Sequence, residues 1–155
     1  MNELIHSWKK EGKKIVFTNG VFDILHVGHV TYLKQAQSLG DVLVVGLNSD
    51  DSVKRLNKGP ERPIHDEQAR KQVLESLRFV DAVIIFQEDT PLHLILSIQP
   101  DVLVKGGDYS PDVTEFNDNR YMVGSHEIKE WGGKAVAIPL VNGYSTTAAI
   151  KKMKS

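Results

Sequence analysis

The chain has 155 residues, of which 41% are hydrophobic and 25% charged, and its formal net charge is −1. This composition is typical of a globular protein with a core of ordinary size, and one domain over residues 1–155 is predicted. The near-neutral charge argues against nucleic acid as a partner, since nucleic-acid binders carry a basic excess. The absence of cysteine excludes disulfides and thiol chemistry. No apolar run has the length of a signal peptide or membrane span, so we expect a cytoplasmic protein without a membrane partner.

Short apolar segments rich in β-branched residues are typical of buried strands. They lie at 14–17, 41–47, 80–86, 101–104 and 136–138. Amphipathic spacing predicts helices around and between these strands. The predicted helices cover 2–11, 26–39, 66–77, 91–98 and 119–131, and another begins at Ser145 or Thr146. Asp66 and Thr90 are expected to cap two of these helices, and Asp51 or Ser52 is expected to cap a shorter one.

Strands and helices alternate along the whole chain. Such alternation predicts an α/β fold, namely a Rossmann-like, doubly wound sheet of five parallel strands with helices on both faces. Ligands of such folds bind beyond the carboxyl ends of the strands, at the point where the strand order reverses. We therefore expect the functional residues in the loops that follow the strands.

The segment 18–29, with the sequence TNGVFDILHVGH, joins the first strand to a helix. Backbone N–H groups at a helix N-terminus bind anions, and His26 and His29 fall on nearly the same side of this helix start. Gly28 has no Cβ, which would let a ligand approach the backbone. A phosphate site is the functional interpretation. The alternatives are ordinary helix-start residues, or a zinc site completed by Asp23.

Three further stretches follow predicted strands. Residues 145–147, Ser-Thr-Thr, place hydroxyls at a helix N-terminus, where they either cap the helix or bind an anion. The loop 57–64, here named the basic loop, contains Lys58 and Arg62. It is either a mobile flap that brings cations to phosphates or a solvated surface turn. Residues 105–109, Lys-Gly-Gly-Asp-Tyr, offer backbone and a carboxylate to a base or ribose.

Isolated polar residues are harder to interpret. Asn48 and Asp50 follow the second strand and offer similar hydrogen bonds, although both are common turn residues. Arg70 lies on the helix after the basic loop, and its alternative interpretation is an ordinary surface residue. Lys151 is the nearest basic residue after the Ser-Thr-Thr run, but it does not follow the run directly. Whether it binds phosphate is therefore left open.

Several of these stretches together resemble the sugar-phosphate nucleotidyltransferases of the HxGH superfamily. The similarity is closest to the D-glycero-β-D-manno-heptose 1-phosphate adenylyltransferases, the ADP-heptose synthase family, and it extends over residues 12–153. The stretches that carry it are 17–33, 45–50, 62–63, 104–109 and 144–147. Two features depart from the family pattern, because residues 110–126 form a longer stretch and Val21 stands where many relatives have cysteine.

The resemblance implies a transferase that moves AMP from ATP to a heptose 1-phosphate, with release of pyrophosphate, in lipopolysaccharide core biosynthesis. It assigns His26, His29 and Lys58 to catalysis. The residues that it implies for nucleotide and phosphate binding are Thr18, Asn19, Gly20, Phe22, Asp23, Gly28, Gly107, Asp108, Ser145, Thr146 and Thr147. Its candidates for the sugar phosphate are Asn48, Asp50 and Arg62.

The resemblance also carries expectations about cofactors and partners. Mg²⁺ is expected to accompany ATP, without a dedicated metal site built from protein side chains. Relatives are often fused to a sugar kinase domain; here the kinase is expected as a separate protein, and the chain as a homodimer. Two other functions stay open. One is a cytidylyltransferase for glycerol 3-phosphate or another alcohol phosphate, and the other is a nucleotide-binding sensor module without turnover.

Overall fold

Five parallel strands form the centre of the computed structural model, which describes residues 2–155. They are β1 (Ile15–Gly20), β2 (Val42–Asn48), β3 (Ala82–Phe86), β4 (Val102–Gly106) and β5 (Lys134–Ile138). Their order across the sheet is β3-β2-β1-β4-β5, so the direction of winding reverses between β1 and β4. The predicted doubly wound α/β sheet is confirmed. In such a sheet a ligand is expected at the carboxyl end of β1.

Helices cover both faces of the sheet. They are α1 (Asn2–Lys10), α2 (Val27–Gln37), α3 (Asp50–Arg55), α4 (Glu67–Glu75), α5 (Leu92–Ile98) and α6 (Thr146–Lys154), and a 3-10 helix covers Glu127–Trp131. Leu33 of α2 and Leu74 of α4 belong to the apolar core on one face. Ile5 of α1, Ile95 of α5 and Ile128 of the 3-10 helix belong to the core on the other face. No helix within residues 2–155 is both long and apolar enough to span a membrane.

The helix predicted before the fifth strand is wrong over its first part. Only Glu127–Trp131 is helical, and the preceding residues form an irregular segment that turns at Gly124. Gly124 has a φ of +90°, and a Cβ there would lie 2.9 Å from the side chain of Ile95. Asp118 accepts hydrogen bonds from the backbone N–H and the guanidinium of Arg120, a local pairing that competes with helix formation.

Two helix starts lie one or more positions from their predicted caps. Ser49, rather than Asp51 or Ser52, caps α3, because its hydroxyl accepts a hydrogen bond from the N–H of Ser52 at 3.1 Å. Pro91, rather than Thr90, takes the cap position of α5, without a side-chain hydrogen bond of its own. The sequence pattern identified both helices and missed only the residue at which each begins.

Aspartates that stand directly before three strands join neighbouring strands at the amino edge of the sheet. The carboxylate of Asp101, before β4, accepts a hydrogen bond from the N–H of Ile15 in β1 at 2.8 Å. The same kind of bond joins Asp81 to Leu43 at 2.7 Å and Asp41 to Lys14 at 2.6 Å. These bonds fix the first residues of each strand pair, at the edge opposite the expected ligand site.

We expect Asp101→Ala to lower the free energy of unfolding by about 1–2 kcal/mol, since it removes a charged acceptor from a part-buried backbone N–H. Urea denaturation of the variant and the wild type measures this difference. Asp112→Ala, at an exposed position in the segment before the 3-10 helix, is the matched control and should change stability by less than about 0.5 kcal/mol. Equal stability of the two variants would show that the edge hydrogen bond contributes nothing.

Candidate active site

Two cavities lie next to each other at the carboxyl ends of the strands. The first, of about 320 Å³, is bounded by the β1–α2 loop, the start of α2, the end of β4 and the start of α6. The second, of about 290 Å³, is bounded by the end of β2, the β3–α5 loop, β4 and the segment before the 3-10 helix. The residues that line both cavities are here named the shared wall: Asn19, Gly20, Val21, Lys58, Lys105 and Tyr109.

The loop between β1 and α2 is held in a strained conformation. Phe22 and Ile24 have φ angles of 49° and 50°, in the left-handed region that is unfavourable for residues other than glycine. Between them, the buried carboxylate of Asp23 accepts hydrogen bonds from the N–H groups of Ile64 at 2.6 Å and His65 at 3.1 Å. These hydrogen bonds connect the end of the basic loop to the segment that precedes α2.

Arg70 of α4 adds a second connection, and it is only 2% exposed. Its guanidinium donates hydrogen bonds at 2.8 to 2.9 Å to the carbonyl oxygens of Val21, Asn48 and His65 and to the carboxylate of Asp50. The interpretation of this arginine as a surface residue is therefore wrong. The spacing of apolar residues along α4 does not predict the burial of Arg70, because its partners are backbone carbonyl oxygens from three separate segments.

The first turn of α2 fixes both histidine rings through backbone hydrogen bonds. His26 caps the helix, and its Nδ1 accepts from the N–H of Gly28 at 3.1 Å. The Nδ1 of His29 accepts from the N–H of His26 at 3.3 Å. In a neutral imidazole whose Nδ1 accepts, the proton is on Nε2, so each ring keeps one donor for a ligand. The rings stack with their centroids 3.8 Å apart, and both line the first cavity.

The charges around these rings favour an anion. Burial lowers the pKa of His26, and burial together with His26 and Lys58 lowers the pKa of His29 to about 4. Lys58 is exposed on one side, but partial burial against the cavities and the neighbouring Arg62 lower its pKa as well. Within residues 2–155, Asp23 is the only acidic residue that lines the first cavity, and its carboxylate already accepts two backbone hydrogen bonds. The cavity therefore has cations that lack a counterion.

The hydroxyls at the start of α6 have different partners. Ser145 caps the helix by accepting a hydrogen bond from the N–H of Ala148 at 2.9 Å. Thr146 is buried and donates to the carbonyl oxygen of Asp23 at 2.7 Å, which joins α6 to the strained loop. Thr147 is exposed, and all three residues line the first cavity. The hydroxyl of Thr146 donates to the protein, whereas within residues 2–155 the hydroxyls of Ser145 and Thr147 only accept hydrogen bonds and keep their O–H donors for a ligand.

Arg62 is the second buried arginine of the site, at 4% exposed. Its Nε has no hydrogen-bond partner within residues 2–155, although a carboxylate oxygen of Asp23 lies 3.4 Å away. One of its terminal nitrogens lies 3.4 Å from the hydroxyl of Thr147. A guanidinium with unused donors beside a helix N-terminus is suited to a phosphate. Arg62 lines the first cavity and not the second, so it lies with α6 and apart from Asn48.

Lys105, at the carboxyl end of β4, extends into the shared wall from the sheet. Its Nζ donates to the carbonyl oxygen of Asn19 at 3.4 Å and lies 5.4 Å from the ring centroid of Tyr109. Burial, and secondarily Lys58, lower the pKa of Lys105 to about 8. The sequence analysis assigned residues 105–109 to contacts with a base or ribose and gave Lys105 no role of its own. The feature that could have indicated a role is the position of this lysine directly after a predicted apolar strand.

Comparison with known proteins gives the family of this site. The sequence profile of the family described as cytidylyltransferase-like matches residues 17–152. The chain belongs to the cytidylyltransferase-like family. The enzyme class expected from the sequence, a nucleotidyltransferase, is thereby confirmed.

Relatives of this cytidylyltransferase-like chain include longer proteins. The bifunctional protein HldE of Methylobacillus flagellatus is 52% identical over 151 residues, which are 97% of this chain and 29% of that protein. The bifunctional protein HldE of Paramagnetospirillum magneticum is 54% identical over 151 residues, with the same shares of 97% and 29%. The chain thus spans about 29% of the length of these curated relatives.

Solved structures of similar fold are also known. A lipopolysaccharide core biosynthesis protein from Thermoplasma volcanium is 31% identical with a TM-score of 0.64, covering 86% of this chain and 100% of that one. Pantoate-beta-alanine ligase from Francisella tularensis has a TM-score of 0.62, covering 97% of this chain and 70% of that one. At 16% identity, this second likeness shows the fold alone.

Most of the predicted phosphate-binding residues line the first cavity of this cytidylyltransferase-like domain. They are Asn19, Gly20, Phe22, Asp23, His26, Gly28, His29, Lys58, Ser145, Thr146 and Thr147. Asn48 lines the second cavity only. The predicted residues that line neither cavity are Thr18, Asp50, Gly107 and Asp108.

The residues outside the cavities have identifiable partners or positions. Thr18 is fully buried, and its hydroxyl is hydrogen-bonded to the hydroxyl of Tyr32. The carboxylate of Asp50 accepts from Arg70 at 2.8 Å. Asp108 is exposed at the surface. The residue type alone does not show which hydroxyl or carboxylate side chains line a cavity. Their burial and their hydrogen-bond partners depend on other segments of the chain.

Glycines of the site make room for side chains of the protein itself. A Cβ at Gly28 would lie 2.8 Å from the imidazole of His26, so this glycine allows the capping ring to fold back onto the helix. A Cβ at Gly106 would lie 2.8 Å from the side chain of Leu140. Gly107 has a φ of +101°, which other residues rarely adopt. The expected close approach of a ligand to Gly28 stays a prediction beside this packing contact.

The structure adds lining residues that the sequence analysis did not assign to the site. In the first cavity they are Tyr32, Leu140, Val141 and Tyr144, and in the second they include Asp89, Thr90 and Tyr121. Tyr144 is 52% exposed, and its ring lies 6.4 Å from the ring of His26 with an interplanar angle of 22°. The sequence feature that could have placed Tyr144 in the site is its position directly before the Ser-Thr-Thr run.

The zinc alternative finds no support in the geometry. In the part of the chain that the structure describes, residues 2–155, no cluster of three or more histidine, aspartate or glutamate side chains is placed to hold a metal ion. The carboxylate of Asp23 faces the backbone of Ile64 and His65, and does not join the two histidines.

We expect the free energy of unfolding to decrease as the pH is lowered from 6.5 to about 4. His29 stays neutral in the folded protein over this range, whereas the unfolded chain takes up a proton there, so acid favours unfolding. Urea denaturation at several pH values measures the slope. In His29→Gln the decrease should be smaller, because that proton uptake is lost.

The matched control for this prediction is His93→Gln, at an exposed position of α5. Its stability should follow the wild-type pH dependence. An unchanged slope in His29→Gln would contradict the assignment of a neutral, buried His29.

Proposed function

We propose that the chain transfers AMP from ATP to D-glycero-β-D-manno-heptose 1-phosphate, giving ADP-heptose and pyrophosphate. The observation that carries this proposal is the pair of adjoining cavities joined by a cationic wall at the point where the strand order reverses. Transfer between two phosphorylated substrates requires two neighbouring sites that bring the reacting atoms together. The identity to HldE and to a lipopolysaccharide core biosynthesis protein supports the same assignment.

The first cavity is suited to the nucleoside triphosphate. The Nε2–H groups of His26 and His29 would donate to oxygens of the α- and β-phosphates, beside the N-terminus of α2. The start of α6 and the guanidinium of Arg62 would bind the outgoing pyrophosphate. The exposed side chains of Leu140 and Tyr144 line the same cavity and offer an apolar surface to the adenine.

The proposed chemistry needs no covalent role for the protein. An oxygen of the sugar phosphate attacks the α-phosphorus of ATP, and the bond from that phosphorus to the β-phosphate oxygen breaks. The attacking phosphate is already ionised near neutral pH, so no general base is required. The protein contributes positioning and stabilisation of the charge that develops on the transferring and leaving oxygens. Since the pKa of His29 is about 4, this residue acts as a neutral hydrogen-bond donor.

In this proposal Mg²⁺ binds together with ATP and has no binding site of its own on the protein. The first cavity lacks a free carboxylate, because the carboxylate of Asp23 is bonded to the backbone of the basic loop. The triphosphate oxygens and water supply the oxygen ligands that Mg²⁺ prefers, and the ion neutralises part of the phosphate charge. No residue of the chain is assigned as a metal ligand.

The second cavity is suited to a sugar phosphate. Polar side chains of Asn48, Asp89, Thr90 and Tyr121 line it, together with the shared wall. These groups can bind the hydroxyls of a heptose, and they would stay unpaired when a smaller acceptor occupied the site. A site of this kind discriminates strongly against substrates that lack the hydroxyls.

We further propose that a sugar kinase supplies the heptose 1-phosphate, that the chain functions as a homodimer and that it acts in the cytoplasm. Because the acceptor must already carry a phosphate on its anomeric oxygen, a phosphoryl transfer to the sugar has to precede this reaction. Analytical ultracentrifugation measures the oligomeric state directly.

Pyrophosphate release with defined substrate pairs tests the proposed function. We expect ATP with heptose 1-phosphate to give a kcat/KM at least about 100-fold higher than CTP with glycerol 3-phosphate, since the second cavity is lined by groups that pair with sugar hydroxyls. The family description, cytidylyltransferase-like, makes the second pair the relevant competitor. A preference for CTP and glycerol 3-phosphate would favour that alternative, and binding of nucleotides without any pyrophosphate release would favour the sensor module.

We expect His29→Ala to lower kcat by about 10²–10³-fold, as found when one donor to transition-state charge is removed. Binding of ATP, measured by calorimetry, should change much less, because the triphosphate keeps its contacts with α6 and the basic loop. His93→Ala, at an exposed position of α5, is the control and should match the wild type. Turnover of His29→Ala within a few-fold of the wild type would exclude a catalytic role for this histidine.

A further inference from the structure

Lys105 carries a positive charge that nothing in residues 2–155 neutralises. It is half-buried at the end of β4 and forms no salt bridge in that part of the chain. The one hydrogen bond that its Nζ donates is to the carbonyl oxygen of Asn19, at 3.4 Å. An ammonium group has three donors, so two remain for a ligand. Burying part of an unpaired ammonium costs free energy that an anionic ligand offsets.

The second cavity has few other cations. The charged residues that line it are Lys58, Lys105 and Asp89, and Asp89 is paired with Arg55 at 2.5 Å. Lys58 is exposed on the basic loop, whereas Lys105 lies on a strand that pairs with β5. A phosphate that enters this cavity therefore meets one cation on a loop and one cation that the sheet holds in place.

We propose that Lys105 binds the phosphate of the acceptor and holds its attacking oxygen next to the α-phosphate of the nucleotide. This inference rests on the proposed function and adds to it a catalytic residue outside the HxGH and Ser-Thr-Thr motifs. Lys105 belongs to the shared wall, where an acceptor in the second cavity and a nucleotide in the first must meet. The oxygen–phosphorus bond forms and the bond to pyrophosphate breaks, while Lys105 keeps its proton throughout.

The charge of Lys105 changes at mildly alkaline pH. Since its pKa is lowered to about 8, the neutral amine predominates at higher pH and the attraction for the acceptor phosphate is lost. The titratable and charged groups that line the two cavities around it are Asp23, His26, His29, Tyr32, Lys58, Arg62, Asp89, Tyr109, Tyr121 and Tyr144. The pKa of Lys58 is also lowered, so a variant of Lys105 is needed to separate the two lysines.

The kinetic test compares Lys105→Met and Lys105→Arg with the wild type. Lys134→Met, at the exposed start of β5, is the matched control and should keep wild-type activity. We expect Lys105→Met to lower kcat/KM for the sugar phosphate by about 100-fold or more. Its Kd for ATP, measured by calorimetry without acceptor, should stay within about threefold of the wild type, because the charge acts on the other substrate.

The pH profile gives a readout that a merely structural residue would not change. Wild-type kcat/KM for the acceptor should decline above about pH 8, and Lys105→Arg should remove that decline, because arginine stays charged. Retention of kcat/KM within about threefold in Lys105→Met would overturn the proposal. An equal loss of ATP binding would also overturn it, since Lys105 would then support the fold of the site.

A labelling experiment tests the anion site without turnover. The unprotonated amine of Lys105 adds to the aldehyde of pyridoxal 5′-phosphate with loss of water, and borohydride reduces the imine to a stable secondary amine. At about pH 8, peptide mass spectrometry should find Lys105 labelled before Lys134, and inorganic phosphate should slow the labelling.

The labelling separates failure of this proposal from failure of the proposed function. If the wild type is inactive with heptose 1-phosphate and phosphate still protects Lys105, the anion site stands and the substrate assignment is wrong. If Lys105 is not labelled, or if phosphate gives no protection, the role of Lys105 is overturned whatever the substrate.

Discussion

The site depends on the buried carboxylate of Asp23. It accepts two backbone hydrogen bonds from the end of the basic loop, while the carbonyl oxygen of the same residue accepts from Thr146 of α6. On either side of it, Phe22 and Ile24 have left-handed backbone angles that persist only where the surroundings impose them. One residue thus connects the histidine-bearing helix, the basic loop and α6, so all three surround a single cavity.

A second constraint is the shortage of negative charge around the two cavities. Arg62 keeps an Nε without a hydrogen-bond partner in the described residues, Lys105 has no carboxylate partner there, and burial lowers the pKa of both stacked histidines. The unpaired donors of Arg62 and Lys105 are unfavourable in the folded protein without a ligand. Anions bound in the two cavities would offset this cost, which is the preorganisation that charge-stabilising catalysis requires.

The sheet, most of its helices and the position of the HxGH and Ser-Thr-Thr residues around one cavity were predictable from the sequence because they rest on local patterns. Apolar strands, helix caps and the HxGH spacing all act within a few residues. Arg70 was misread as a surface residue because carbonyl oxygens that it binds lie on distant segments, which no local pattern specifies. The predicted helix before the fifth strand failed at Gly124, where packing against Ile95 required a glycine turn. Lys105 was missed because a lysine after a strand gives no sign of lacking a counterion.

The hydrogen bond from Thr146 to Asp23 joins positions that are 123 residues apart. We expect this contact to form late, because closing a long loop costs chain entropy before any contact compensates for it. The sheet can therefore be complete while the first cavity is still open at the side of α6. We expect detachment of this one helix to open the first cavity without unfolding the core, so that the assembled cavity has a lower local stability than the sheet that carries it.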